Sequence, residues 1–171
     1  MNLVLTNKDG EKKLTEKDSK TLNTPIYKRI GLTKREYEDN NILKAHERDF
    51  IKRFTGRGED IKWIKRDSLV DAKTGGYYPT NDFIWNNEEW ELKSALKKNV
   101  SEGTVIKRIN ESVDKGKRNI FLDLGNNILQ EKLMELLCKY NSSRIKNRSK
   151  RRYVENIVVY DRKGLHKIVL K

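Results

Sequence analysis

The stretch Asp82-Phe83-Ile84-Trp85-Asn86-Asn87-Glu88-Glu89-Trp90-Glu91-Leu92-Lys93 constrains the fold more than any other part of this chain. Asn86-Asn87 is a turn dipeptide between two runs of strand-forming residues, so it predicts a tight hairpin of 82–86 against 89–95. Successive strand side chains point to opposite faces. Glu91 and Lys93 therefore share one face, and Trp90 and Leu92 share the other. Burying a carboxylate and an ammonium in a sheet costs several kcal/mol unless they pair or hold an ion. The two charges therefore either hold a catalytic ion or form a salt bridge on a wet sheet face.

The rest of the chain supplies partners for that sheet. Thr33-Lys34-Arg35-Glu36 reads as a capping box, and apolar residues recur at helical spacing from Tyr37 to Phe54. That pattern predicts one helix, or two short ones, over 34–55. Asp60–Arg66 reads as a first strand. Ser101 can cap a helix running to about Lys115 and closed by Gly116. Asn119–Leu124 is a short continuous apolar run, the pattern of a strand buried on both faces in a parallel sheet. Asn127 is expected to open a further helix to about Lys139. A last hairpin, 156–160 and 166–170, turns at Arg162-Lys163-Gly164. A strand that follows a helix after a meander calls for a mixed sheet with helices on its faces, an α/β fold.

Residues 1–32 are polar and Lys-rich and read as a lead-in to a domain at 33–171. Charge then narrows the partners. The 171 residues carry a net charge of +13, with 35% hydrophobic and 37% charged residues. Such a field attracts polyanions, nucleic acid above all. The three Trp and seven Tyr argue against disorder. The lone cysteine, Cys138, excludes an internal disulfide and a Cys-rich zinc site. No apolar run approaches the roughly 18 residues a membrane span needs. The N-terminus lacks the basic-then-apolar pattern of a signal peptide. No P-loop or dinucleotide fingerprint is present.

Phosphodiester cleavage needs charge neutralisation, an activated nucleophile and an aligned phosphate. Asp82 and Glu91 are oxygen ligands suited to Mg²⁺. Lys93 lies beside the same ion, placed to orient the nucleophile or stabilise phosphate charge. On the helix after the Glu-x-Lys strand, Thr104, Lys107 and Arg108 are candidates to contact phosphate. Arg144, Lys146, Arg148, Lys150, Arg151 and Arg152 make a basic run without an acid, suited to track a nucleic-acid backbone. Trp63, Trp85 and Trp90 are expected in the core, Glu89 at the hairpin end, and His46 and His166 outside the chemistry.

Pro79-Thr80-Asn81-Asp82 followed by Glu91-Leu92-Lys93 resembles the PD-(D/E)XK nuclease superfamily over about residues 34–125. The resemblance implies a restriction-endonuclease-like core of helix, three strands, helix and strand. It implies Asp82 and Glu91 as metal ligands, Lys93 as the catalytic lysine, and Glu47 as an added helix carboxylate. Here the proline is not adjacent to the aspartate. The Asp82–Ser94 stretch and the Lys117–Leu124 strand further resemble C-terminal nuclease toxins of bacterial contact-dependent growth inhibition systems. That likeness implies tRNA as substrate, action in the cytoplasm after delivery within a larger secreted protein, and an acidic immunity partner. A DNA endonuclease of repair, junction or mobile-element type shares the same motif. A basic nucleic-acid-binding module in which Asp82, Glu91 and Lys93 form a structural ion pair would share the same charge.

Overall fold

The computed structural model describes residues 23–65, 80–142 and 152–171, together with Lys73 and Gly75. The chain divides into two compact units between Trp63 and Ile64.

The first unit carries α1 (Ile26–Arg29), α2 (Lys34–Glu38), α3 (Ala45–Gly56) and β1 (Ile61–Trp63). The capping box at α2 forms as expected. Thr33 Oγ1 accepts the Glu36 N–H at 3.1 Å, and Glu36 Oε1 accepts the Thr33 N–H at 3.0 Å. The helical periodicity over 34–55 resolves into two helices, because the backbone turns extended at Asp39 and again at Lys44. Glu47 then starts α3 by accepting the Lys44 N–H at 2.8 Å. The apolar stripe of α3 buries Phe50, Ile51 and Phe54, with the two Phe rings stacked at 5.2 Å. Ile30 and Leu32 are buried as well. Trp63 ties β1 to them by donating its N–H to the Ile30 carbonyl at 2.9 Å.

The second unit carries β2 (Phe83–Trp85), β3 (Glu88–Ser94), α4 (Glu102–Asp114), β4 (Asn119–Asp123), α5 (Glu131–Cys138), β5 (Asn156–Asp161) and β6 (Gly164–Lys167). These strands lie side by side in chain order in a mixed sheet. β2–β3 and β5–β6 are antiparallel, whereas β3–β4 and β4–β5 are parallel. Asn86 and Asn87 both take positive φ, 52° and 63°, the backbone that a two-residue hairpin requires. Ser101 Oγ accepts the Thr104 N–H at the start of α4, and Gly116, at φ 87°, follows its end.

Both parallel crossovers advance in the same direction, so the right-handed rule places α4 and α5 on one face of the sheet. There Val105, Ile109, Val113, Leu133 and Leu137 pack with Ile120, Leu122, Ile157 and Val159. The opposite face carries an aromatic cluster in which Phe121 meets the rings of Phe83, Trp85 and Trp90 at 5.4–6.2 Å. All three tryptophans are buried, as expected of core residues.

β1 is shorter than the expected 60–66, and two boundaries in the second unit also depart from the sequence reading. Asn127 does not open α5, whose N-cap is Gln130. Its side-chain amide instead donates to the carbonyls of Ala95, Leu96 and Lys97, which lock the turn after β3. The last hairpin is also tighter than expected, because Asp161 pairs with Gly164 and β6 starts there. Asp161 makes that possible. Its buried carboxylate accepts N–H groups from Leu129, Lys163 and Gly164 and lies 2.8 Å from His166 Nε2.

Burial alone would push the Asp161 carboxyl up. The bonds from Leu129, His166 and Lys163 outweigh it and hold the group below the ordinary carboxylate value. A depressed carboxylate stabilises the fold above the ordinary value of about 4 and loses that contribution as pH falls below it. Asp161→Asn is therefore expected to cost about 2–3 kcal/mol at neutral pH. Urea unfolding of the wild type and the variant should show the gap closing below about pH 4.

Candidate active site

The site is built on β3, one position away from the aromatic cluster. Alternation places Glu91, Lys93 and Ala95 on the face covered by α4 and α5, and Trp90 and Leu92 on the other. Glu91 is 13% exposed. Its Oε1 lies 3.3 Å from Lys93 Nζ and 3.5 Å from the Ser112 hydroxyl of α4. Its Oε2 lies 3.5 Å from Nζ of Lys117, which is itself only 6% exposed. That contact is a charge interaction rather than a hydrogen bond, and Oε2 is buried without a hydrogen-bond donor. Glu91 thus stands between two ammonium groups, one reachable by solvent and one not.

Asp82 precedes β2 and departs from the regular ladder. Its N–H donates to the Trp90 carbonyl at 2.9 Å, and its Oδ2 accepts the Leu92 N–H at 2.7 Å. The carboxylate has taken the place of a backbone acceptor. It is held against the edge of β3 at the peptide between Glu91 and Leu92. Glu91 is thereby met by two ammoniums, and the Asp82 carboxylate is fixed on the next residue of the same strand. Among the described residues no group of three or more His, Cys, Asp or Glu side chains could hold a metal ion. Mg²⁺ asks for less, one or two carboxylates completed by water and phosphate oxygens. The hard oxygen donors of Asp82 and Glu91, with Glu91 Oε2 buried and lacking a hydrogen bond, fit that requirement.

Of the other expected site residues, Glu47 lies in the first unit, where one of its oxygens caps α3. Thr104 is exposed and shares a hydroxyl contact of 2.8 Å with Ser101 at the α4 cap. Lys107 is exposed on α4. Arg108 reaches back from α4 to donate to the Ser94 carbonyl at 2.6 Å, clamping the end of β3. Arg152 does not present an uncommitted guanidinium to a phosphate. It forms a two-pronged pair with Asp114, at 2.6 and 2.8 Å. Arg144, Lys146, Arg148, Lys150 and Arg151 lie outside the described residues. Glu89 is exposed at the hairpin end and accepts from Asn81 at 2.9 Å, as expected. His46 is exposed, and His166 is paired with Asp161.

Ser112 and Lys117 were missed by sequence reasoning. Ser112 was legible, because it continues the inward stripe Val105, Ile109, Val113 of α4. Lys117 was not. It stands between Gly116 and Arg118 in a basic stretch that looks like any solvated loop. The only signal was indirect: a carboxylate at an inward strand position needs a cation, and Lys93 alone is partly in solvent. No protein-family model, curated protein or solved structure matches this chain.

Proposed function

We propose that this protein is a metal-dependent endonuclease that hydrolyses nucleic-acid phosphodiesters, with RNA, tRNA in particular, ahead of DNA as substrate. The observation that carries the reading is the placement of the Asp82 carboxylate against β3 beside Glu91, with Lys93 next along the same face. The chain order of helix, three strands, helix and strand is the order of the PD-(D/E)XK core, which supports the same reading. Asp82 and Glu91 would hold Mg²⁺, which supplies charge neutralisation at the phosphate and a more acidic bound water.

The side chains divide the remaining work. Lys93, 26% exposed, can donate to a non-bridging phosphate oxygen as negative charge grows there. Lys117 is too deeply buried to reach substrate, and it fixes the Glu91 carboxylate from behind. Arg108 holds the end of the strand that carries both. The net charge of +13 attracts polyanions, and the basic run 144–152 contributes to that charge. In this proposal the chain is the toxic tip of a larger secreted protein. It acts in the cytoplasm of a recipient cell and is matched by an acidic immunity protein.

One observation favours a second reading. A carboxylate bracketed by two lysines is also how a structural ion cluster satisfies a buried charge. The chain would then be a basic module that binds nucleic acid without cutting it. Incubation with total RNA and with supercoiled plasmid, in Mg²⁺ and in EDTA, separates these. The nuclease reading predicts that RNA is fragmented in Mg²⁺ and spared in EDTA. Plasmid nicking without RNA loss would assign the DNA substrate. Both substrates intact beside clear binding would favour the module.

A further inference from the structure

The residue after Lys117 begins a second structure. Arg118 Nη1 donates to the carbonyls of Val113 and Lys117, 3.1 Å each, which closes the C-terminal end of α4. Its guanidinium lies 4.3 Å from the centroid of the Tyr153 ring. Its carbonyl accepts the N–H groups of Glu155 and Asn156 at 2.7 and 3.3 Å, which ties down the segment that carries Tyr153. From the other side, Arg152 is anchored on Asp114. Tyr153 therefore sits between fixed neighbours with a cation on one ring face, yet remains 45% exposed.

A large aromatic ring left in water loses the stabilisation that burial would supply. Here it is held in one orientation, backed by an immobilised guanidinium, one residue along from the lysine that contacts Glu91. We propose that Tyr153 is a stacking platform for an unpaired nucleobase of a bound single strand. The inference rests on the nucleic-acid reading above and adds to it a preference for unpaired RNA. The base lies on the open ring face. Arg118 strengthens the stack from behind and keeps the ring from moving. A base within a duplex has both faces covered by its neighbours and cannot use the platform.

Fluorescence anisotropy tests this. Labelled single-stranded RNA, 2′-O-methylated and kept in EDTA so that it stays intact, is compared with the matching duplex. Tyr153→Ala is expected to weaken single-strand binding about tenfold and leave duplex binding unchanged. Tyr153→Phe keeps the ring and should bind within about twofold of wild type. Tyr153→Leu keeps apolar bulk without the ring, so it should match the alanine variant, with unfolding midpoints confirming that all are folded. An equal loss on both ligands, no loss at all, or rescue by leucine would overturn the platform while leaving the nucleic-acid reading in place. A wild-type chain that binds neither ligand would overturn that reading itself.

Discussion

Glu91→Ala should destabilise the second unit by about 3–5 kcal/mol, because it strands the buried Lys117 ammonium without its counter-charge. The pair is held at 3.5 Å with Lys117 only 6% exposed, so water offers little compensation. Replacing the cation as well changes the sign of the argument. A Glu91→Ala, Lys117→Met double variant removes both charges and leaves an apolar chain of similar length. It should recover most of the loss, since apolar residues often replace a buried ion pair at little cost. Urea unfolding of wild type, both single variants and the double variant closes the cycle. A Glu91→Ala loss below about 1 kcal/mol would show that Lys117 is not dependent on Glu91.

Lys93→Ala should act on rate rather than on stability. Lys93 is partly exposed and its pair with Glu91 is screened, so its removal should cost under about 1 kcal/mol. Loss of a positioned cation at a developing phosphate charge, by contrast, lowers kcat by about 10²–10³-fold. Affinity for uncut RNA should stay within about threefold, since one phosphate contact among many is lost. Single-turnover cleavage and equilibrium binding on the same preparation separate the two effects. Cleavage at the wild-type rate would remove Lys93 from the chemistry. The opposite effects expected at these two lysines follow from their different burial around a single carboxylate.

Much of this architecture could be read from the residues, for reasons that differ by element. The β2–β3 hairpin was legible because Asn86-Asn87 is a turn signal of specific backbone chemistry. α4 was legible because Ser101 and Gly116 mark its two ends with known capping geometry. β4 declared itself parallel and buried by its unbroken apolar run. The start of α5 was misread because Asn127 is by type a better cap than Gln130, and its amide is taken instead by tertiary bonds to Ala95–Lys97. Over 34–55 the spacing left one helix or two short ones open, and the extended backbone at Asp39 and Lys44 decides for two.

For the site, period-two alternation placed Glu91 and Lys93 on one face, and the structure brings them to 3.3 Å. The role of Asp82 as a surrogate backbone acceptor could not be foreseen, because it depends on a local break in the ladder. Lys117 and the Arg152–Asp114 pair are set by how the C-terminal end of α4 meets the strands, a relation between distant parts of the sequence. Dense basic runs say that a region is positive. They do not say which of its charges are already committed within the fold.

The most direct measurement is the rate at which Glu91→Gln cuts RNA in Mg²⁺. The substitution preserves the shape of the side chain while removing the charge that Lys93, Lys117 and a bound cation would share. A fall of at least about 100-fold, with the protein still folded and still binding RNA, is the predicted result. Cleavage at the wild-type rate would contradict the assignment of Glu91 as the centre of the site.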